Sequence, residues 1–345
     1  MHMADALVSP AVGGTMWAAT AVTTAYCAKR VRKDADDAKI PLMGVTGAFV
    51  FAAQMLNFTI PGTGASGHLG GGLILAILLG PEAAFLVIAS VLTVQAFFFA
   101  DGGLLALGAN IFNLGFFPAF VAFPFVYRKI AGARPGRGRL FVGAVAGALA
   151  GLCMGALGVV LQTTASGISE LPFATFLAVM LPIHVAIGLV EGVVTAGVVS
   201  FVREAQPEIL GSAVERVPLG SSVARGVLAG LVATAVVAGG VLSWFASSSP
   251  DGLEWSVARV TGTDEFGGDP SGVKDAASSV QARTAILPDY GSRQGESGSG
   301  SEATRSRPGV DPATSTAGLV GGAITLLFAA GAGLLLTLRA RRADE

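Results

Sequence analysis

Long apolar stretches without charged side chains constrain this chain more than any other feature. Residues 140–162, LFVGAVAGALAGLCMGALGVVLQ, form one of them. A helix that crosses the hydrocarbon core of a bilayer needs about 20 apolar residues. Charged residues make up 13% of the chain, about half of the ~25% that is usual in soluble domains. Because a backbone in lipid must satisfy its own hydrogen bonds, we predict an all-α integral membrane protein.

Nine stretches of this kind are candidate membrane spans. They lie at residues 10–28, 42–58, 68–80, 82–99, 108–127, 140–162, 175–201, 223–247 and 316–338. The third is short, rich in glycine and ended by Pro81, so we expect neighbouring helices to shield it from lipid. The first is followed rather than preceded by basic residues, which is not typical of a secretory signal, and we interpret it as part of the mature protein.

The distribution of Lys and Arg predicts the orientation of the chain in the membrane. Basic residues cluster at 29–33, 128–139, 203–225 and 339–342, whereas the loops 59–67, 100–107 and 163–174 contain none. Basic loops stay on the cytoplasmic side. With nine spans and an external N-terminus, every basic cluster lies on the cytoplasmic side and every loop without Lys or Arg lies on the external side. We therefore predict a multi-pass protein of a prokaryotic plasma membrane with an external N-terminus and a cytoplasmic C-terminus.

Three regions of different character divide the chain. Residues 1–205 form a seven-span module, 206–222 a cytoplasmic linker, and 223–345 a two-span hairpin module. Between the last two spans, residues 248–315 are rich in Gly, Ser, Asp and Pro. Such a composition buries little apolar surface, so we expect a largely flexible external loop. Only its start, PDGLEWSVARV, has the pattern of a short amphipathic helix.

The opening residues MHM offer nitrogen donors for a metal ion. The amine of Met1, the backbone nitrogen of His2 and its imidazole Nδ1 can close a five-membered and a six-membered chelate ring. His68, in the glycine-rich stretch PGTGASGHLGGG, lies on the same predicted face and is the obvious fourth donor. Square-planar nitrogen ligation favours Ni(II) or Cu(II), with Co(II) where the protein imposes the shape. The competing interpretation is a solvated terminal histidine and a structural His68.

Other polar residues lie within or beside the predicted spans. His184 and Glu191 are seven residues apart and share one helix face. A buried hydrogen bond from His184 to Glu191 or to the backbone is favoured over direct contact with a metal. Further polar groups could orient metal ligands or join helices: Asn57, Gln95, Asn110 and Asn113. Neither a catalytic triad nor a phosphate-binding Walker loop is present in the sequence, so we predict no enzyme activity, and any ATP hydrolysis belongs to another subunit.

Several of these motifs occur together in one known family. In order along the chain they are MHMADALVSP, PGTGASGHLGGGLILAILLGPEAAFLVI, QAFFFADGGLLALGANIFNLG and LPIHVAIGLVEGVVT. Over residues 1–205 the chain resembles the CbiM/NikM family, the substrate-specific components of cobalt and nickel energy-coupling factor transporters. The tail resembles the smaller CbiN/NikN partner, and Pro250–Glu254 spell the PDGLE motif of that C-terminal domain.

The resemblance implies a function and a ligand set. The family's metal ligands correspond here to Met1, His2 and His68. The implied function is capture of Ni(II) or Co(II), carried as substrate without a prosthetic group. The implied partners are a CbiQ/NikQ-like transmembrane coupling protein and two CbiO/NikO-like ATPases on separate chains. The segment Met3–Asp5 departs from the commonest form of the motif, but it does not alter the donor atoms.

Two other classes of function compete with this interpretation. A self-sufficient secondary transporter or channel for a cation or small solute would have internal repeats and paired broken helices, and the sequence has no convincing repeat. A non-transport membrane protein, such as a sensor or an assembly scaffold, is the other class, and the hairpin at residues 223–338 could be an interaction module in either case. Metal binding by the purified protein, and the need for partner ATPases, distinguish the three.

Overall fold

The computed structural model describes residues 2–33, 36–132, 135–168, 171–215, 218–219, 222–262, 272–291 and 311–344. This part of the chain is mostly helical, as predicted. Helices α1 to α9 are Pro10–Lys33, Lys39–Gln54, Gly72–Leu79, Pro81–Phe99, Leu107–Ile111, Arg128–Ala131, Arg137–Ser166, Phe173–Ala205 and Glu208–Glu215. A π-helix, Phe112–Tyr127, joins α5 to α6 and contains two prolines. Helices α10 to α13 are Arg225–Gly240, Gly252–Thr261, Gly272–Thr284 and Pro312–Asp344.

Five helical segments of the described chain are long and apolar enough to cross a membrane. They are Pro81–Phe99, Leu107–Ala131, Arg137–Ser166, Phe173–Ala205 and Pro312–Ala340. The other four predicted spans also fall on helices, namely α1, α2, α3 and α10, but these do not combine that length with that hydropathy. The chain is therefore a helical membrane protein, and the count of nine spans remains a prediction.

Helix α3 is buried at every position, from Gly72 to Leu79. It begins after Gly71 and ends at Gly80, and both glycines have a positive φ that other residues rarely adopt. Pro81 then starts α4, where its missing N–H is not needed. The short predicted third span is thus enclosed by protein, as its length and glycine content indicated.

The C-terminal module packs directly against the first module. Helix α13 lies along α2, and a Cβ added at Gly44 would come within 3.0 Å of the Ala330 Cβ and of the Leu326 backbone oxygen. Within the module, α10 and α13 approach closely: a Cβ at Gly318 would overlap the Gly239 backbone, and a Cβ at Gly239 would lie 3.2 Å from the Gly318 backbone. Small residues permit this spacing between helices.

The segment between α10 and α13 is more ordered than its composition predicted. Helix α11 was expected, but α12 and a 3₁₀ turn at Pro288–Tyr290 were not. Helix α12 has no fully buried residue, so its own apolar pattern gave no signal. It is held from outside: the Gln281 amide donates to the Ala96 oxygen at 2.9 Å, and the Ile286 N–H donates to the Phe98 oxygen at 3.0 Å. Residues 263–271 and 292–310 lie outside the described part, where the predicted flexibility is untested.

Candidate metal site

The two histidines singled out from the sequence lie side by side. The ring centroids of His2 and His68 are 5.0 Å apart, and the ring planes differ by 10°. Both side chains are nearly buried, with exposed fractions of 7% for His2 and 8% for His68. Met1 lies outside the described residues, so the part predicted for its amine remains a prediction.

The residues after His2 are anchored in the protein interior. Met3 is fully buried. Its N–H donates to the Asn110 Oδ1 at 2.8 Å, and its carbonyl accepts from the Asn110 amide at 3.2 Å and from the Gly103 N–H at 2.9 Å. The Asp5 carboxylate accepts the Ala106 N–H at 2.9 Å. These hydrogen bonds hold the N-terminal segment against the loop after α4 and so set the position of His2.

Asp101 joins His2 to the C-terminal module. One carboxylate oxygen lies 3.0 Å from the His2 Nδ1, and the other accepts the Tyr290 hydroxyl at 2.5 Å. Burial disfavours the ionised carboxylate, but His2 and the Tyr290 hydroxyl outweigh it, and the pKa of Asp101 lies well below its usual range. Sequence reasoning did not single out either Asp101 or Tyr290. The available signal was a lone acidic residue in a loop predicted to share a face with both histidines.

The ring orientation of His2 bears on how it can bind a metal. Its Nδ1 faces Asp101, while its Nε2 is buried without a hydrogen-bond partner in the part of the chain that the structure describes. Chelation through Nδ1, as predicted, requires the imidazole to turn away from Asp101. Binding through Nε2 would leave Asp101 in contact with Nδ1, the opposite ring nitrogen. Carboxylates commonly support metal-bound histidines in this way. In either mode the carboxylate adds negative charge beside the cation.

His68 is held in the neutral form that can bind a metal. It follows a two-stranded hairpin, β1 Phe58–Thr59 and β2 Ser66–Gly67, and precedes α3. Its Nδ1 lies 3.0 Å from the Leu69 carbonyl; because a carbonyl only accepts, Nδ1 carries the proton and Nε2 carries the lone pair.

Polar groups deeper in the bundle fasten the backbone that follows His68. The Gly70 N–H donates to the Glu191 carboxylate at 2.6 Å, and the Gly70 carbonyl accepts the Gln54 amide at 2.9 Å. Gln95 donates to Gln54 in turn at 2.8 Å. Glu191 bonds directly to the loop that carries His68, and Gln95 bonds to it through Gln54. Gln54, which the sequence analysis did not select, links them.

The remaining candidates have structural contacts. His184 Nδ1 lies 2.8 Å from the Met180 carbonyl, one turn back on its own helix, which is the backbone alternative considered above. Its ring lines a small cavity together with His68. The Asn57 carbonyl accepts the Ser247 N–H at 2.7 Å. Asn113 exchanges hydrogen bonds of 2.8 and 3.0 Å with Gln162 and so joins two helices.

Within the described ranges, no three His, Cys, Asp or Glu side chains form a group that could hold a metal ion. Among the described residues, the two histidine rings that lie side by side are those of His2 and His68. A complete donor set would draw on backbone nitrogens at the start of the chain, which is the kind of site that the opening residues predicted.

Comparison with known proteins places these features in a family. Residues 2–209 match the family described as CbiM, cobalt uptake substrate-specific transmembrane region, and residues 225–338 match the PDGLE domain. A putative fused nickel transport protein NikMN of Archaeoglobus fulgidus is 38% identical over 61% of this chain and 68% of its own length.

Two further similarities come from a relative and a solved structure. A putative metal transport protein of Haloquadratum walsbyi is 34% identical over 62% of this chain and 95% of its own length. The crystal structure of a transition metal transporter superimposes with a TM-score of 0.53 at 30% identity, and covers 63% of this chain and 99% of that one.

Proposed function

Because the chain belongs to the CbiM family of cobalt and nickel transport components and carries a PDGLE domain, we propose that it is the substrate-capture subunit of an ATP-driven importer. It binds Ni(II) or Co(II) at the external face through the amine of Met1, His2 and His68. The observation that carries this proposal is the approach of the His2 and His68 rings to 5.0 Å, although they come from separate parts of the sequence.

The chemistry of the site suits a borderline divalent cation. Neutral imidazoles bind nickel and cobalt well, and nitrogen donors in a plane favour Ni(II) over metals that prefer oxygen ligands. Asp101 beside His2 partly compensates the charge of the cation in a nearly buried place. The metal is cargo, so the site must hold it firmly and also be able to release it.

The architecture we propose follows the division drawn from the sequence. Residues 1–205 are the seven-span capture module, 206–222 a cytoplasmic linker, and 223–345 the fused two-span module. A CbiQ/NikQ-like coupling protein and two CbiO/NikO-like ATPases are separate partners in the plasma membrane. Relatives described as fused nickel transport proteins support the fusion.

Metal binding by the protein with its native N-terminus tests the proposal. Purified protein is expected to retain about one Ni(II) or Co(II) per chain and to show the visible absorption band of planar Ni(II). His2→Ala and His68→Ala should each abolish retention. So should one extra residue before Met1, because it converts the amine into an amide.

A matched variant separates ligation from folding. His184→Ala removes a buried ring that bonds to its own helix, so it should lower thermal stability more than nickel affinity. Unchanged affinity after N-terminal extension would contradict the ligand set. Concentrative uptake by the chain alone in proteoliposomes, without ATPases, would favour a self-sufficient secondary transporter.

A further inference from the structure

The PDGLE motif lies directly beside the hairpin that presents His68. The Ser66 N–H donates to the Pro250 carbonyl at 2.8 Å, and the Ser66 hydroxyl donates to the Ser249 carbonyl at 2.8 Å. Ser66 and Asp251 form a parallel β-bridge. Ser66 is two residues before His68, so these bonds fix the backbone from which the ligand projects.

The contact continues along the hairpin. Thr59, paired with Ser66 across the two strands, donates its hydroxyl to the Ser247 hydroxyl at 2.9 Å. The Ser247 N–H donates to the Asn57 carbonyl at 2.7 Å. Residues 247–251 therefore line the hairpin at several points, in the manner of an added strand.

Asp251 and Glu254 end this strand and begin helix α11. The Asp251 carboxylate accepts the Leu253 and Glu254 N–H groups at 2.9 and 2.8 Å, and Glu254 accepts the Asp251 N–H at 3.2 Å. This reciprocal arrangement is a capping box. It turns the chain sharply at Asp251 into α11. The position of residues 247–251 beside the hairpin therefore depends on the position of α11.

Gly252 allows α11 to rest on α8. A Cβ at Gly252 would lie 2.6 Å from the Ile183 Cγ2 and 3.7 Å from the His184 Cε1. A Cβ at Gly67, in the hairpin, would lie 2.6 Å from the Ile187 Cδ1. The hairpin and the start of α11 thus sit on neighbouring turns of α8, and each needs a glycine to come so close.

We propose that residues Ser249–Glu254 are a clip that positions His68, so that the C-terminal module holds a metal ligand of the first module in place. We refer to them as the PDGLE clip. This inference rests on the proposed function for its consequence, the retention of metal. The clip acts through its hydrogen bonds to Ser66. The loop that carries His68 is thus held at two points. Glu191 of α8 bonds to Gly70 after the histidine, and the clip bonds to Ser66 before it.

The clip affects metal release because a preorganised ligand dissociates slowly. Release of the cation requires His68 or the N-terminus to move, and movement of the backbone at His68 is opposed by the bonds to Ser66. Loosening a group that supports a metal ligand typically costs about 10- to 100-fold in affinity. We expect the clip to act at the lower end of this range, since it holds the backbone rather than the ring.

Gly252→Ala in the full chain tests the clip. The added methyl must displace α11 from Ile183, so amide hydrogen exchange of residues 66–71 should become faster, with or without metal. Nickel release to an excess of EDTA should become about tenfold faster. The matched control is Gly331→Ala, in α13, where a Cβ meets nothing within 4 Å; it should change neither rate.

A second variant covers the case in which Gly252→Ala does not fold. Ser66→Ala removes the hydroxyl bonds to the Ser249 and Pro250 carbonyls but keeps the backbone bond to Pro250, and we expect a smaller increase in both rates. Normal exchange of residues 66–71 in a folded Gly252→Ala protein would overturn the clip. If the unaltered protein retains neither nickel nor cobalt, the proposed function fails, while the exchange comparison still decides whether the clip exists.

Discussion

At the scale of single residues, Asp101 connects His2 with the C-terminal module. It contacts His2 with one oxygen and receives the Tyr290 hydroxyl with the other. A carboxylate in this position both orients the imidazole and adds negative charge near a bound cation. His2 and the Tyr290 hydroxyl hold the pKa of this carboxyl below its usual range, which favours the charged form.

Asp101→Asn should therefore weaken nickel binding by about tenfold or more. The substitution keeps the size of the side chain and removes its charge. Calorimetric titration of the native-terminus protein measures the effect, with Asp275→Asn on exposed α12 as the matched control. Tighter binding by Asp101→Asn would show instead that the carboxylate competes with the metal for the His2 Nδ1.

Glu191 gives a second prediction at this scale. Its carboxylate accepts the buried Gly70 N–H, and a buried donor left without a partner costs about 1–3 kcal/mol. Glu191→Ala should lower the thermal unfolding midpoint in detergent, while Glu191→Gln, which keeps an acceptor oxygen, should recover most of the loss. Equal destabilisation by both variants would contradict this role.

At the scale of elements, the end of α4 is completed by the C-terminal module. The last carbonyls of a helix lack partners within it. Gln281 donates to the carbonyls of Ala96 and Gly102 at 2.9 and 2.7 Å, and Ile286 and Leu287 donate to Phe98. The loop carrying Asp101 follows directly, so α12 helps to set the place of a residue in the candidate metal site.

Gln281→Ala should loosen this loop without unfolding the protein. Because two carbonyls lose their donor, amide exchange of residues 99–106 should become faster, while exchange in α7 stays unchanged. Mass-spectrometric hydrogen exchange checks both regions in one experiment. Slow exchange of residues 99–106 in the variant would mean that the backbone bonds to Phe98 suffice.

At the scale of the whole molecule, the fused module is part of the packed body and of the site. Helix α13 lies on α2, α11 lies on α8, and Tyr290 reaches Asp101. These contacts do not depend on the covalent link between α9 and α10. The two parts should therefore recognise each other when they are separate chains.

Residues 1–216 and 217–345, expressed together as two chains, should copurify. Gly44→Leu should abolish copurification, because its side chain would collide with Leu326 and Ala330. Gly14→Leu, where a Cβ meets nothing within 4 Å, is the matched control. Copurification of the Gly44→Leu pair would mean that other contacts, such as those of α11, hold the modules together.

The sequence by itself determined the helical membrane class, the positions of the apolar helices and the two histidines whose rings lie side by side. Charge-free stretches and basic clusters report these features because lipid excludes charge and unpaired backbone groups. The clustering of family motifs also identified the two modules. Helix α12 was wrongly expected to be flexible, because its partners are backbone carbonyls of another element and leave no apolar pattern in its own sequence.

Only the tertiary structure decided which groups support the histidines. Asp101, Gln54 and Tyr290 are ordinary polar residues in the sequence, and their roles come from hydrogen bonds across the fold. The PDGLE motif is recognisable in the sequence, but its contact with Ser66 is visible only in the tertiary structure. The physical reason is the distance along the sequence. Hydropathy and periodicity report the surroundings of a residue within its own helix or strand, whereas a site is assembled from elements that lie far apart in the chain.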